Sequence, residues 1–200
     1  MTYRAPVRDL AFTLKAVAGV DRVAATGAFP DFDDDVMGAV LEAAGQLSEN
    51  VLAPLNRTGD LAGAVYANGA VTAAPGFAEA YAEFAQGGWT GLAAPVHAGG
   101  QGLPKALELA AFETVHAANM AFGLCPMLSL AAIEALDAHG TEHQKTHYLP
   151  RLVSGEWTGA MCLTEPQAGS DLGALTSTAT PNGDGTYSLT GQKIYITWGD

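Results

Sequence analysis

Apolar residues recur every three or four positions over most of this chain and every second position over its last stretch. Val36, Val40, Ala44, Leu47, Val51 and Leu55 form one stripe, which predicts a helix from Asp34 or Asp35. Asn56-Arg-Thr-Gly-Asp60 is expected to end it. Residues 57–75 hold Gly59, Gly63, Gly69 and Pro75 and predict a loop, with a brief extended pair around Val65 and Val71. A second helix opens at Pro75, carries Phe77, Tyr81 and Phe84 on one face, and stops at Gly87-Gly88. A third covers 104–121, with Leu107, Ala111, Val115 and Ala118 on one face and Leu109, Phe112 and His116 on another, so both sides are expected to be buried. A fourth covers about 125–138. Thr141-Glu-His-Gln144 has the order of a capping box and starts a fifth. Tyr148, Leu149 and Leu152 are its expected buried side, and Pro150 limits or kinks it. Ahead of these, Tyr3, Val7, Leu10, Phe12, Leu14 and Val17 predict an arm with a short helix, packed on a domain or on a partner subunit.

From Trp157 the period becomes two. Strands are expected at 157–163, 175–180, 186–190 and 193–197, with turns at Asn182-Gly-Asp-Gly185 and Gly191-Gln192. The order is α+β: an arm over 1–33, an all-α domain over 34–156, and the first strands of a further domain over 157–200. Three or four strands leave unpaired edges and an uncovered apolar face, so the chain is expected to be the N-terminal part of a longer protein.

Composition narrows the choice of function. The 200 residues are 48% hydrophobic and 15% charged, enough for a sizeable core and against wholesale disorder. The formal charge of −12, from 21 acidic and 9 basic residues, repels phosphate backbones and argues against a nucleic-acid partner. Asp31-Phe-Asp-Asp-Asp35 reads as a solvated loop with a helix N-cap. Cys125 and Cys162 form no CxxC pair and sit among apolar residues, so both are expected to be buried thiols in a reducing compartment. No secretory signal is read, and no apolar run is expected to reach the ~18 residues of a membrane span. A cytoplasmic location is the expectation.

Met161-Cys-Leu-Thr-Glu-Pro-Gln-Ala-Gly-Ser-Asp171 reads as a strand breaking into a loop. Pro166 cannot donate to a ladder and pushes Glu165 toward an extended conformation. Ala168-Gly-Ser-Asp171 offers free N–H groups and a small hydroxyl. Local chemistry leaves two readings, a surface turn after an edge strand and a loop that hydrogen-bonds a polar ligand. Elsewhere, Gly99-Gly-Gln-Gly102 makes no GxGxxG fingerprint and reads as a structural loop. His139, His143 and His147 are four apart, but Gly140 breaks the series and no carboxylate–His motif accompanies it, so no metal is expected. His116 and Asn119 read as satisfied polar groups within the packing.

Leu163-Thr-Glu-Pro-Gln-Ala-Gly-Ser-Asp171 resembles the signature that opens the middle domain of the acyl-CoA dehydrogenase family. Gly191-Gln-Lys-Ile-Tyr-Ile-Thr197 resembles the family's second signature, in order and at the right distance. Thr141-Glu-His-Gln-Lys145, Tyr148-Leu-Pro150 and Gly155-Glu156 are similar to the family's approach to that domain. The resemblance runs from about residue 34 to the end. The opening Tyr3-Arg-Ala-Pro-Val-Arg-Asp-Leu10 is similar to longer members that include the 3-methylthiopropionyl-CoA dehydrogenases.

The resemblance implies FAD and the removal of two hydrogens from an acyl-CoA thioester. In the family a glutamate base takes the α-proton while the β-hydrogen leaves as hydride to the flavin. A β-barrel-like middle domain holds one side of the flavin. By motif, Met161, Cys162, Leu163 and Thr164 line the isoalloxazine edge, Leu163 through its backbone and Thr164 through backbone and hydroxyl. Gly169 and Ser170 meet the pyrophosphate, and Ser170 also borders the substrate's thioester channel. Tyr195, Ile196 and Thr197 lie on the other strand, with Tyr195 against the ring and Thr197 near N5. Many members carry Trp at the position of Tyr195, Asn at that of Trp198 and Tyr at that of Met161. The glutamate base is expected in a C-terminal helical domain outside this chain, so no catalytic residue is assigned, and Glu165 receives no base role. The implied partners are acyl-CoA, electron-transfer flavoprotein as electron acceptor, and further copies of the chain in a homo-oligomer. An acyl-CoA oxidase-type flavoprotein and a helical interaction module without flavin are the alternatives.

Overall fold

The computed structural model of the chain describes residues 3–199. They form two compact units, one ending at Gly159 and one spanning Ala160–Gly199.

The first unit is helical. α1 (Val7–Phe12), a π-helical turn (Thr13–Val17) and α2 (Val20–Ala24) turn Leu10, Leu14 and Val20 inward, and α1 packs on α3 (Asp34–Leu47). The arm is therefore part of this unit's packing. Ala5 N–H donates to Glu49 at 2.9 Å, Arg4 pairs with the same carboxylate, and Lys15 pairs with Asp34 at 2.5 Å. Asp33 caps α3 by accepting from Val36 N–H at 2.8 Å.

The single helix expected as far as Leu55 is α3, a π-helical turn (Ser48–Leu52) and α4 (Ala53–Ala62) in succession, with no stop at 56–60. Pro54 has no N–H to bond the preceding turn and crowds its carbonyl, and the π turn just before it takes up the mismatch. Asn119 donates to the Leu52 carbonyl, at the junction of this turn and α4, at 3.2 Å. Gly59 does not break α4: a Cβ there would lie 2.6 Å from the Phe77 ring, so the glycine serves a close approach. Gly63, in the left-handed region at φ 67°, follows the helix end.

β1 (Val65–Ala67) and β2 (Ala70–Thr72) form the expected extended pair, antiparallel with Val65 opposite Thr72. Asn68 and Gly69 join them at φ 54° and 83°, as a two-residue hairpin turn requires. α5 (Phe77–Gln86), α6 (Lys105–Ala118), α7 (Met120–His139) and α8 (Glu142–Val153) complete the unit. α7 starts at Met120 because Asn119 caps it, accepting from Phe122 N–H at 3.1 Å. The capping box of α8 is closed from both sides, Gln144 N–H to Thr141 Oγ1 at 3.3 Å and Thr141 N–H to Gln144 Oε1 at 2.8 Å.

Phe84 sits at the centre of the core, edge-on to Phe112 at 5.9 Å and to Phe122 at 5.6 Å. A second cluster joins Ala94, Ala98, Ile133, Leu149, Leu152 and Val153. Two expected core residues lie outside. Leu109 is 63% exposed because the inward stripe of α6 runs through Leu107, Ala111, Phe112 and Val115. Tyr148 is exposed beside His147 and Trp157. α7, at 20 residues, is long and apolar enough by length and composition to cross a membrane, which corrects the expectation that no run reaches that measure. It packs with α6 and α8 and buries Phe122, Cys125, Ser129 and Ile133. The glycine-rich stretch is structural: Gln101, Gly102 and Leu103 N–H groups donate to Gly91, Ala94 and Leu92, and a Cβ on Gly100 would lie 2.1 Å from the Ala94 carbonyl oxygen.

The second unit holds one hairpin, β3 (Thr178–Pro181) against β4 (Tyr187–Thr190), with Thr178 opposite Thr190 and every residue exposed. Two of the four expected strands are therefore present. Residues 157–163 and 193–197 are extended or turned segments without a ladder. Tyr195 at φ 56° interrupts the alternation that a strand at 193–197 needs.

Candidate functional site

The two motif segments meet inside the second unit. Ile194 N–H donates to the Thr164 carbonyl at 2.9 Å. One residue earlier, Lys193 Nζ donates to the Leu163 carbonyl at 2.9 Å and to Glu165 Oε1 at 2.8 Å. Leu163 and Thr164 are thus held beside Lys193 and Ile194.

Glu165 is 2% exposed although it sits in a loop. The turn that carries it is closed by reciprocal backbone bonds between Glu165 and Ala168 at 3.0 Å. Its carboxylate accepts from Gln167 Nε2 at 2.6 Å, Thr176 N–H at 2.8 Å, Thr176 Oγ1 at 3.1 Å and Ser177 N–H at 3.1 Å, besides Lys193. The Lys193 ammonium first, then the Ser177 and Thr176 donors, hold this carboxyl well below the usual carboxylate range. It is a fixed anion that organises a loop. Sequence reasoning gave Glu165 no role and did not single out Lys193. The available signal was one opposite charge in each motif.

The other site residues are open. Among the described residues, the N–H groups of Cys162, Leu163, Thr164, Gly169 and Ser170 make no backbone hydrogen bond within the chain. A Cβ on Gly169 would meet no atom within 4 Å. Ser170 and Thr197 are exposed, and Ile196 is half-buried. Tyr195 is 88% exposed and held in the left-handed region, a conformation uncommon for a bulky residue outside turns and functional loops. Met161 and Cys162 are exposed, which corrects the expectation of a buried Cys162 thiol: the segment lacks the ladder that would have covered it. Cys125, in the first unit, is buried and its thiol is pushed up to about 11 by that burial. The arrangement offers unsatisfied backbone donors, an exposed aromatic face and small hydroxyls, which suits a flat ligand rich in hydrogen-bond acceptors.

In the first unit, His116 packs edge-on to Phe112 and bonds the Gly123 carbonyl at 3.2 Å, a packing role. His143 and His147 stack on each other on an exposed helix face. Among the described residues no group of three His, Cys, Asp or Glu side chains is placed to hold a metal ion.

Comparison with known proteins places these features in a family. Residues 39–156 match the N-terminal domain of acyl-CoA dehydrogenases. The chain is 44% identical over its whole length to the 3-methylmercaptopropionyl-CoA dehydrogenase of Ruegeria pomeroyi, covering 34% of that protein. It superposes on butyryl-CoA dehydrogenase of Megasphaera elsdenii with a TM-score of 0.67 and 29% identity, over 83% of this chain and 42% of that one. An acyl-CoA dehydrogenase of Bacillus anthracis complexed with FAD gives a TM-score of 0.67 and 26% identity, over 84% of this chain and 27% of that one. The chain spans about a third of the length of the curated relatives it matches.

Proposed function

The chain belongs to the acyl-CoA dehydrogenase family, and from that premise we propose that its parent protein is an FAD-dependent enzyme that dehydrogenates an acyl-CoA thioester at the α and β carbons. The observation that carries this reading is the bond between Ile194 N–H and the Thr164 carbonyl, which sets the two motif segments side by side.

The residues present fit FAD. The N–H groups of Cys162, Leu163 and Thr164 suit acceptor atoms at a ring edge that gains negative charge on reduction. The exposed Tyr195 ring offers a flat face. The open backbone at Gly169 and the Ser170 hydroxyl suit a pyrophosphate. When bound, FAD supplies the two-electron acceptor chemistry. This chain's part is to bind and orient: Met161 to Thr164 along the ring edge, Tyr195, Ile196 and Thr197 on the neighbouring segment, and Ser170 toward the thioester. Glu165, engaged by Lys193 and four further donors, takes no proton from substrate. The base is a glutamate in the remainder of the parent protein. Electron-transfer flavoprotein is the proposed acceptor, and a cytoplasmic homo-oligomer the proposed form. The relative at 44% identity makes the 3-methylmercaptopropionyl thioester the first acyl chain to try.

Titration of the full-length protein with FAD tests the reading. A saturable change in flavin absorbance and fluorescence, weakened by Thr164→Ala with Ser170→Ala, supports it, as does flavin reduction on adding the acyl-CoA. A full-length protein that leaves FAD unperturbed would overturn it. The same titration on the 200-residue chain shows whether this part alone binds.

A further inference from the structure

Among the described residues, the flavin contacts proposed above sit on segments joined by one backbone hydrogen bond and no strand ladder. We infer that Glu165 and Lys193 are positioning residues, an ion pair between a buried carboxylate and a half-buried ammonium that keeps Leu163–Thr164 in register with Ile194–Thr197 and so aims the groups that meet the flavin. The inference rests on the flavin reading and adds to it the device that holds the site.

Among the described residues, the hydrogen bonds joining 161–165 to 193–197 are Ile194 to Thr164 and the two donated by Lys193. A strand pair would spread that task over a ladder; here most of it falls on one ammonium. Lys193 bridges the Leu163 backbone carbonyl and the Glu165 side-chain carboxylate, holding the residues on both sides of Thr164. Glu165 in turn is tied to Gln167, Thr176 and Ser177, so the pair also anchors the turn leading to Gly169 and Ser170. On the other side, Lys193 fixes the chain two residues before Tyr195 enters its left-handed turn. Removing Lys193 leaves the buried Glu165 carboxylate without its counter-charge, removing Glu165 leaves the half-buried ammonium without one, and removing both leaves neither. That non-additivity separates a positioning pair from two independent contacts.

The test uses the full-length protein as wild type, Glu165→Gln, Lys193→Met, the double variant, and Lys193→Arg. Each is measured for FAD dissociation constant, flavin visible bands and flavin midpoint potential, with far-ultraviolet circular dichroism reporting folding. Each neutral single substitution should weaken FAD by about tenfold or more, the size of effect found when a group that orients a ligand's holder is lost. Both should also shift the bands and the potential. The double variant should be no weaker than the worse single, and Lys193→Arg, which keeps the charge and can reach both acceptors, should retain most of the affinity. If a single variant does not fold, Lys193→Arg and the double variant carry the comparison. Wild-type affinity, bands and potential in the folded neutral variants would overturn the positioning role while leaving flavin binding intact. Penalties that simply add in the double variant would overturn it as well. A wild-type protein that does not bind FAD is a different result, which removes the flavin reading and this role with it.

Discussion

Phe84 and Glu165 are both buried, and they hold their surroundings by opposite means. Phe84 touches Phe112 and Phe122 and belongs to a core of apolar side chains supplied by several helices. Glu165 is met by five donors from three stretches of chain, and among the described residues of the second unit only it and Ala168 are buried. Apolar contact is non-directional and tolerates small shifts. Charge-assisted hydrogen bonds fix distances and angles. A helical scaffold needs bulk stability, whereas a ligand edge needs a set register, and each unit uses the interaction that meets its need.

The two cysteines give this contrast its largest expected readout, since one lies in each unit. A thiol reagent at neutral pH should modify exposed Cys162 at least about a thousandfold faster than Cys125. Cys125 is buried, its thiol is pushed up to about 11, and it must wait for opening of a helical core. Mass spectrometry of a time course decides it, and equal rates would show that the first unit is loosely packed. Next in size, Phe84→Ala should cost about 3–5 kcal/mol in denaturant unfolding. A cost below about 1 kcal/mol would mean that the aromatic cluster is not the centre of the core.

Acid should act on the polar contacts and spare the apolar ones. The folded Glu165 carboxyl lies below its unfolded value, first because of Lys193 and then because of Ser177 and Thr176. Its contribution is therefore complete above the unfolded value of about 4.3 and drains away as pH falls below it. Glu49 is also lowered, first by Ala5 N–H and then by Arg4, so the N-terminal arm shares this sensitivity. Below about pH 4, amide exchange should rise first at Ala5, Thr176 and Ser177, while amides around Phe84 stay protected. Earlier loss of protection around Phe84 would contradict the division.

The helices were legible because burial on one face imposes a period, and that period shows in the sequence without knowledge of the partner. The misreadings fell where a local group overrides it. Pro54 splits one predicted helix with a π turn, and Asn119 sets the start of α7 through a side-chain cap. Gly59 resembles a helix stop and instead makes room for Phe77. In the site, the motifs pointed to Thr164, Tyr195, Ile196 and Thr197, and the chain bonds Thr164 to Ile194, the residue just before the last three. The Glu165–Lys193 pair was not legible, because a glutamate before proline in a glycine-containing loop has the look of a solvated residue. Its burial arises from Thr176, Ser177 and Lys193, which are distant in sequence. Two predicted strands failed for a related reason: alternation marks an extended segment, and only a partner makes it a strand.

The smallest expected effect sharpens the comparison most. Leu189 is 81% exposed on the β3–β4 hairpin, where the second unit shows apolar side chains that its own residues do not cover. In the 200-residue chain Leu189→Ser should change unfolding free energy by less than about 0.5 kcal/mol, as befits a surface position. In the full-length parent protein the same substitution should cost about 1.5–3 kcal/mol if further chain packs on that face, the range for burying a leucine. A small effect in both would mean that the hairpin stays solvent-facing and that the second unit's order rests on Glu165 and its donors. A large effect only in the longer protein would mean that apolar packing reaches this unit from outside, leaving the Glu165–Lys193 pair to set register and not stability.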